Sequence, residues 1–238
     1  LFQCGKLCIE QPRDGTASGA RALPAVRYEH VKRRVTSMQE LLFQSGTEEP
    51  VIRLHRVLFP VTALGYGRRL GVWVQGCSRS CPHCISPEMQ PADGPAISLQ
   101  NLLQQFPELE GCSGLTISGG EPLDQPEAVL ALMEWFAARY TDDILIYTGY
   151  QLQQLPSQAA RQVVERAAAV VEGPYREELN RGVGLYGSEN QHLVVRRYPE
   201  RYRDFATQAR TLQPFWEDDR LLLIGIPSKE DSTEDGPS

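Results

Sequence analysis

Short apolar runs alternate with longer segments of helical spacing along the middle of this 238-residue chain. The short runs are rich in β-branched and aromatic residues, which is typical of buried strands. The longer segments carry apolar residues three and four positions apart, as on the buried face of an amphipathic helix. The predicted strands are Leu70–Val74, Leu115–Ser118, Ile144–Tyr147 and Ala168–Val171. The predicted helices between these strands are Leu99–Phe106, Pro126–Tyr140 and Gln158–Arg166.

This order of elements predicts parallel βαβ units. Around them, Ile52–Val57 predicts an edge strand or a short hairpin, His192–Val195 a further strand, Tyr202–Leu212 a helix and Arg220–Ile226 a last strand. The chain is too short for a closed eight-stranded barrel, which typically needs about 250 residues. The prediction is therefore an α/β fold, a partial (β/α)6 barrel that is open on one side.

The flanks of the chain differ from this pattern. We predict an N-terminal extension over residues 1–50, partly helical or disordered, because its first part is rich in loop-forming residues. One domain is predicted over residues 51–227. An acidic disordered tail is expected over residues 228–238.

Composition narrows the possible partners. The hydrophobic fraction of 41% and the charged fraction of 23% are ordinary for a soluble globular protein. A net charge of −6 argues against nucleic acid as the main partner. No apolar run approaches the length that spans a bilayer and no signal-peptide pattern is present, so no membrane association is expected.

Three of the six cysteines lie in one short stretch directly after the first predicted strand. Cys77, Cys81 and Cys84 follow C-x3-C-x2-C spacing on a loop at the strand's carboxyl end, where α/β proteins place their chemistry. Such a loop is long enough to curl around a metal centre. Soft thiolate ligands select iron–sulfur clusters, zinc or Cu(I). Thiols concentrated in this way also indicate a reducing compartment, and we expect a cytoplasmic protein.

The number of ligands bears on the kind of metal centre. Structural zinc uses four protein ligands. A cubane cluster held by three thiolates instead leaves one iron open to a small molecule. His83 or Cys112 would supply a fourth ligand for zinc, so the residues alone leave both centres open and favour the cluster.

A second motif, Gly119-Gly120-Glu121-Pro122, follows the second predicted strand. Because glycine has no Cβ, the backbone of Gly119 and Gly120 can approach a ligand closely. Polar backbone groups at a strand end can pair with the ammonium and carboxylate of an amino acid, and Glu121 adds negative charge. A side chain at Gly120 is expected to block that approach. The same four residues would also serve an ordinary turn between a strand and a helix.

The two motifs in this order resemble those of radical S-adenosyl-L-methionine (SAM) enzymes. Gly65–Arg68 resembles the G-P-G-x-R segment of activating enzymes for glycyl radical enzymes. Three more blocks, Tyr147–Tyr150, Val171–Tyr175 and Gly187–Gln191, resemble the branch that activates anaerobic ribonucleoside-triphosphate reductase. The resemblance extends from about residue 51 to residue 227, so the predicted domain is a radical SAM domain.

This resemblance implies a chemistry. Cys77, Cys81 and Cys84 would ligate a [4Fe-4S] cluster, and the amino and carboxylate groups of SAM would chelate its open iron. Reductive cleavage of SAM would give a 5′-deoxyadenosyl radical, which installs a glycyl radical on a partner enzyme such as anaerobic ribonucleotide reductase. Reduced flavodoxin or ferredoxin is the implied electron donor.

The resemblance also implies cofactor-binding residues at the strand ends, namely His83, Gly119, Gly120, Glu121, Pro122, Thr148, Gly149, Glu172 and Asn190. The Gly-Gly-Glu-Pro segment would contact the methionine part of SAM, and Thr148 and Gly149 the ribose. His83 stands where the family commonly has an aromatic residue near the adenine. Glu172, in place of the usual aspartate, and Asn190 are expected close to SAM or the partner, without an assigned role.

Departures from the family pattern keep other functions open. Ile85-Ser86 replaces the Phe-Asn pair that often follows the cysteines, which leaves the substrate undetermined. One alternative is a small-molecule radical SAM enzyme, such as a 7-carboxy-7-deazaguanine synthase-like protein. Another is a non-catalytic iron–sulfur or zinc-binding protein in redox chemistry or sensing.

Overall fold

The computed structural model of the chain describes residues 50–104, 109–217 and 220–228. Apart from Pro50 and Ser228, the predicted N-terminal extension and the predicted acidic tail lie outside the described residues. Within the described ranges, no helix combines the length and the apolar character needed to cross a membrane.

A seven-stranded sheet forms the centre of the domain, in the order β3-β1-β2-β4-β5-β6-β7. Its four middle strands, from β2 to β6, are parallel, and β1 and β7 pair with them in antiparallel orientation. The strands are β1 Val51–Val61, β2 Arg69–Val74, β3 Ala96–Ser98, β4 Gly114–Gly119, β5 Ile144–Tyr147, β6 Ala169–Glu172 and β7 His192–Val195.

Three helices connect the parallel strands, α1 Leu99–Gln104, α2 Pro126–Arg139 and α3 Gln158–Arg166. Ser157 caps α3, since its hydroxyl accepts a hydrogen bond from the Ala160 N–H at 3.1 Å. Proline at the first position of α2 suits a helix start because its fixed φ is already helical. Val129 and Phe136 of α2 are fully buried in one core cluster with Ile117 of β4.

The opposite face of the sheet packs against the C-terminal segment. Trp73 and Val171 of the sheet share a second buried cluster with Phe205 and Ile224. The segment ends in an antiparallel hairpin of its own, β8 Gln213–Glu217 and β9 Arg220–Ile224. The sheet is therefore open, and the side that a closed barrel would enclose is filled by the chain's own C-terminal part.

These features confirm the predicted α/β class and the open barrel. One detail was wrong. The segment Tyr202–Leu212 forms turns rather than a helix, following a 3-10 turn at Pro199–Arg201. The last predicted strand is present as Arg220–Ile224, and it pairs with β8 outside the seven-stranded sheet.

A buried ionic network closes the amino end of the parallel strands. Arg69, the first residue of β2, is fully buried and donates to the Thr116 hydroxyl at 2.7 Å. Its guanidinium forms an ion pair with the buried carboxylate of Asp143 at 3.3 Å. Arg201 lies 2.7 Å from the other Asp143 oxygen, and the Tyr202 hydroxyl also donates to Asp143. All the charges of this network are paired, as buried charges require.

Candidate iron–sulfur site

The cysteine loop leaves the carboxyl end of β2 and is closed at its base by backbone hydrogen bonds. Gly76 N–H donates to Met89 O and Cys77 N–H donates to Gln90 O, both at 2.9 Å. Gly76 has a φ of +97°, a conformation that favours glycine, and thereby turns the chain out of the strand. The three cysteines are thus confined to a loop whose two ends are held together.

The thiols of Cys77, Cys81 and Cys84 are free and half-buried. Burial raises the pKa of Cys77 and of Cys84 above the ordinary value of 9.0. These two groups are therefore protonated at neutral pH in the cluster-free protein. Binding a cluster as thiolates must then release protons, so loading is favoured at higher pH.

The thiols are neighbours on the loop rather than a site for one ion. Among the residues that the structure describes, no three His, Cys, Asp or Glu side chains converge closely enough to hold a single metal ion. A cubane binds each thiolate through a different iron atom, so its ligands need not converge on one point. The arrangement is compatible with a cluster and lacks the four converging ligands of structural zinc.

Cys112, one of the two residues considered as a fourth zinc ligand, lies at the other end of the sheet. It lies two residues before the start of β4, and its thiol donates to Gly114 O at 3.4 Å. The cysteine loop lies beyond the opposite end of β4, about 16 Å away along the strand. Cys112 therefore belongs to the amino end of the domain and not to the cysteine loop.

The Gly-Gly-Glu-Pro segment packs directly against the start of the cysteine loop. Gly120 N–H donates to Val74 O, and Glu121 N–H donates to Gly76 O, both at 2.8 Å. A Cβ on Gly119 would lie 2.5 Å from the Val74 backbone, and one on Gly120 would lie 2.1 Å from Gly76 O. Both glycines are thus required by close contact with this chain's own backbone.

Glu121 is buried, 1% exposed, and its carboxylate links three segments. One oxygen accepts from the Leu123 N–H at 2.9 Å and the Thr148 hydroxyl at 2.8 Å, and the other accepts from the Gly149 N–H at 2.8 Å. Burial raises its pKa to about 7, although these hydrogen bonds oppose the shift. Pro122, also buried, begins the short 3-10 turn Pro122–Asp124. The structure brings the predicted residues of the second and third strand ends together around this carboxylate.

His83 lies on the outer rim of the loop. Its side chain is 70% exposed, and Nδ1 is 3.4 Å from a carboxylate oxygen of Glu177. The residue has a φ of +53°, an uncommon conformation for a non-glycine residue. The imidazole is thus oriented toward the segment that follows β6.

Glu172 and Asn190 support loops at the end of β6. A Glu172 oxygen accepts from the Leu152 N–H at 2.6 Å, which holds the loop after β5. The Asn190 side chain donates to Pro174 O at 2.8 Å, while its own buried Oδ1 has no hydrogen-bond partner. An unpaired buried oxygen is costly, so Asn190 retains the capacity to accept a hydrogen bond.

A cavity of about 390 Å³ lies between the cysteine loop and the C-terminal segment. Cys81 and Cys84 line one side and Trp73 of β2 another. Tyr175 and the hairpin residue Leu223 contribute to the remaining wall. Two of the three thiols therefore border a space in the size range of small-molecule sites, roughly 300–1,000 Å³.

The family of the chain follows from its middle part. The family described as a 4Fe-4S single cluster domain matches residues 63–194, more than half of the chain, and this range contains the cysteine loop and the Gly-Gly-Glu-Pro segment. The chain belongs to this family.

Two relatives of this 4Fe-4S single cluster protein are described as activating proteins. A Haemophilus influenzae protein described as a glycyl-radical enzyme activating enzyme is 36% identical over 82 residues, which cover 33% of this chain and 31% of that protein. The anaerobic ribonucleoside-triphosphate reductase-activating protein of Salmonella typhimurium is 29% identical over 150 residues, which cover 59% of this chain and 96% of that protein. The matched part is thus less than a third of the first relative and nearly all of the second.

A solved structure is also similar, the crystal structure of QueE from Escherichia coli, with a TM-score of 0.36 and 16% identity. The match covers 60% of this chain and 78% of that one.

The family and the relatives confirm the predicted resemblance to radical SAM activating enzymes, and with it the predicted cofactors, a [4Fe-4S] cluster and SAM. The loop fits such a cluster, because it offers three free and half-buried thiols, the soft donors that iron–sulfur clusters require.

Sequence reasoning missed two residues that contact the cysteine loop, Asp124 and Tyr150. Both hydrogen-bond to Ser78, across 46 and 72 residues of sequence. In the sequence, Tyr150 stands out only as the last residue of the Tyr147–Tyr150 block. The position of Asp124, two residues after Pro122, is the one local signal that it lies beside the site.

Proposed function

We propose that Cys77, Cys81 and Cys84 hold the [4Fe-4S] cluster and that the protein cleaves SAM reductively to install a glycyl radical on a partner enzyme. The observation that carries this proposal is the contact between the two motifs. The loop with three free thiols and the Gly-Gly-Glu-Pro segment are joined by the hydrogen bond from Glu121 N–H to Gly76 O. A ligand at the cluster would therefore also lie beside the end of β4.

The chain's own residues supply binding and shielding. When bound, the cluster and SAM supply the one-electron chemistry that generates the 5′-deoxyadenosyl radical. The half-buried thiols hold the cluster at the edge of the sheet, and the C-terminal segment covers the adjacent face. Residues of that segment also line the space beside Cys81 and Cys84, so they shield one side of it from water.

The remaining predicted residues take more modest roles in this proposal. Thr148 and Gly149 are held by Glu121 and present the end of β5 to the ribose of SAM. The carboxylate of Glu121 acts as the anchor of this end and not as a direct contact to SAM, because three hydrogen bonds already occupy it. His83, Glu172 and Asn190 line the side toward the adenine or the partner.

The proposed partner is a glycyl radical enzyme such as anaerobic ribonucleotide reductase, with reduced flavodoxin or ferredoxin as electron donor. The names of the two relatives support this choice. An alternative, a small-molecule radical SAM enzyme, is favoured by one observation. The cavity beside Cys81 and Cys84 is bounded by the β8–β9 hairpin and has the volume of a small-ligand site.

Anaerobic reconstitution with iron and sulfide tests the proposal. The reduced protein is expected to show the electron paramagnetic resonance spectrum of a [4Fe-4S] cluster, to change that spectrum when SAM is added, and to release 5′-deoxyadenosine. Addition of an anaerobic ribonucleotide reductase should then produce a glycyl radical signal. Release of 5′-deoxyadenosine without that signal, across a panel of glycyl radical enzymes, would favour the small-molecule alternative. An unchanged spectrum and no cleavage of SAM would indicate a non-catalytic protein.

A further inference from the structure

Three loops at the carboxyl end of the sheet meet at the carboxylate of Asp124. This residue ends the 3-10 turn that follows the Gly-Gly-Glu-Pro segment. One of its oxygens accepts from the Ser78 backbone N–H at 2.7 Å. The other accepts from the Ser78 hydroxyl at 2.9 Å and from the Tyr150 hydroxyl at 3.0 Å. Ser78 directly follows Cys77, so the carboxylate holds the cysteine loop one residue beyond its first thiol.

Tyr150 forms the other half of this contact. Its ring lies under the guanidinium of Arg79, which is 4.5 Å from the ring centroid. Its own backbone N–H donates to the Thr148 hydroxyl at 3.1 Å, and that hydroxyl donates in turn to Glu121. Tyr150 is thus linked through Thr148 to the buried carboxylate of Glu121. Its side chain contacts two consecutive residues of the cysteine loop, Ser78 and Arg79.

The second half of the loop is held differently. Cys81 O accepts a hydrogen bond of 3.5 Å from the Gln90 side chain, and Cys84 borders the open cavity. His83 faces Glu177 across 3.4 Å with its side chain largely in solvent. The contacts of Asp124 with Ser78, at 2.7 and 2.9 Å, are shorter than these and are charge-assisted.

We propose that Asp124 and Tyr150 are positioning residues that fix the first half of the cysteine loop in the geometry required by the cluster, before the cluster is bound. Fixing Ser78 and Arg79 restricts the backbone on the C-terminal side of Cys77, so the first thiol is presented in one orientation. Preorganisation of this kind lowers the entropic cost of binding. The proposal rests on the proposed function, because it takes Cys77, Cys81 and Cys84 as the cluster ligands. Of the two tests below, the first uses the cluster-free chain and does not depend on these ligands, whereas the second does.

The first test measures hydrogen–deuterium exchange of the peptide covering residues 76–81 in the cluster-free protein. Asp124→Ala is expected to increase exchange at the Ser78 amide about tenfold, since it removes a charge-assisted hydrogen bond. Asp124→Asn keeps an acceptor oxygen and should restore part of the protection. Tyr150→Phe keeps the ring beneath Arg79 but loses the hydroxyl, and a smaller increase is expected.

The second test measures the release of iron from the reconstituted protein to a chelator. The loss of visible absorption by the cluster monitors this release. Outer contacts that orient metal ligands typically change affinity about 10–100-fold. Asp124→Ala is expected to release iron about tenfold faster, with Tyr150→Phe between this variant and wild type. The electron paramagnetic resonance lines of the reduced Asp124→Ala cluster, without SAM, should broaden because Cys77 is less restricted. Thermal unfolding midpoints of the cluster-free variants should remain within a few degrees of wild type.

Matched controls separate positioning from general effects. Glu127→Gln removes an exposed carboxylate three residues further along, and Tyr66→Phe removes an exposed hydroxyl at the opposite end of β2. Both should exchange and release iron like wild type. The proposal is overturned if Tyr150→Phe and Asp124→Ala, both folded, match these controls in exchange and iron release. Faster exchange without faster iron release would overturn the role in cluster binding. If wild type itself binds no cluster, the ligand assignment fails while the exchange result still tests the contact.

Discussion

The two ends of the parallel sheet both bury a carboxylate, but they stabilise it in opposite ways. At the amino end, burial would raise the pKa of Asp143, but Arg69 and hydrogen bonds from Tyr202 and Arg201 outweigh it and lower the pKa below its usual value. At the carboxyl end, the donors to Glu121 are two backbone N–H groups and a hydroxyl, and burial raises its pKa to about 7. One end pairs its charge with cations, and the other surrounds it with neutral dipoles.

The two ends of the same strands therefore have different roles, stability at the amino end and chemistry at the carboxyl end. Saturated ion pairs at the amino end leave no polar group of Asp143 available for a ligand, so that end contributes stability. The carboxyl end holds free thiols, a cavity and a carboxyl group that titrates near neutral pH, and such perturbed groups concentrate at functional sites. The division agrees with the general placement of chemistry at the carboxyl ends of parallel strands.

The largest expected effect is loss of the cluster when a thiol at the carboxyl end is removed. Cys77→Ala, Cys81→Ala and Cys84→Ala should each abolish stable cluster binding, because a cubane held by two thiolates is open to solvent at two corners. Cys112→Ala, at the amino end, should retain a full cluster. Iron and acid-labile sulfide per chain after anaerobic reconstitution measure both results. A full complement of iron in the triple variant would contradict the ligand assignment.

At the amino end, the expected effect falls on stability instead. Arg69→Met should lower the free energy of unfolding by about 3 kcal/mol, because it leaves the buried Asp143 carboxylate short of one cation. Arg68→Met changes an exposed neighbour and should cost less than about 0.5 kcal/mol. Denaturant unfolding of the cluster-free variants gives both values. Equal midpoints for the two variants would show that the Arg69 ion pair contributes no more to stability than a surface arginine.

The pH dependence of stability distinguishes the two carboxylates. The pKa of Glu121 is raised from 4.5 to about 7 in the folded chain, so the folded state binds more protons than the unfolded state between these values. Its contribution to the free energy of unfolding is therefore complete below pH 4.5 and is lost as the pH rises through 7, a change of about 3 kcal/mol. Asp143 has the opposite sign, and its contribution is lost only below pH 3.8.

Urea unfolding between pH 5 and pH 8 measures this effect. The free energy of unfolding of Glu121→Gln should decline less steeply with pH than that of wild type over this interval. Parallel curves for the two proteins would show that the carboxyl group is not the titrating group.

Elements with a strong local pattern were predictable from the sequence. The strand Ile144–Tyr147 and the helix Gln158–Arg166 have the predicted bounds. Burial within the sheet determines the strand, and a single amphipathic face determines the helix. The helix predicted over Tyr202–Leu212 was wrong. Tyr202 and Phe205 reach the second core cluster from turns, and apolar residues three positions apart are compatible with turns as well as with a helix. Strand β8 escaped prediction because most of its residues are exposed, and only its hairpin pairing with β9 makes it a strand.

In the site, the sequence predicted the cysteine loop and the Gly-Gly-Glu-Pro motif at the ends of two strands but did not specify how the two segments meet. The contacts of Asp124 and Tyr150 with Ser78 connect residues far apart in sequence, and no local periodicity encodes them. The burial of Arg69 was equally hidden, because an arginine at a strand start predicts exposure unless its partners are known. Gly119 and Gly120 have the chain's own backbone as their close neighbour, a contact that the motif alone does not specify.

The smallest expected effect separates Gly120 and Gly149, two of the three glycines predicted to contact SAM. A Cβ on Gly120 would lie 2.1 Å from Gly76 O and 2.8 Å from Met89 O, so Gly120→Ala must displace the base of the cysteine loop. We expect it to cost about 1–3 kcal/mol of stability and to lower iron occupancy, rather than to affect SAM alone. A Cβ on Gly149 would instead meet the flexible Arg79 side chain at 3.0 Å. Gly149→Ala should therefore cost well under 1 kcal/mol and keep its iron. Denaturant unfolding and iron analysis measure the stability and the iron content of the two variants. They compare Gly120, whose close neighbours are backbone atoms, with Gly149, whose close neighbour is a side chain that can move. Equal losses in both would mean that the base of the cysteine loop adapts as readily as Arg79 does.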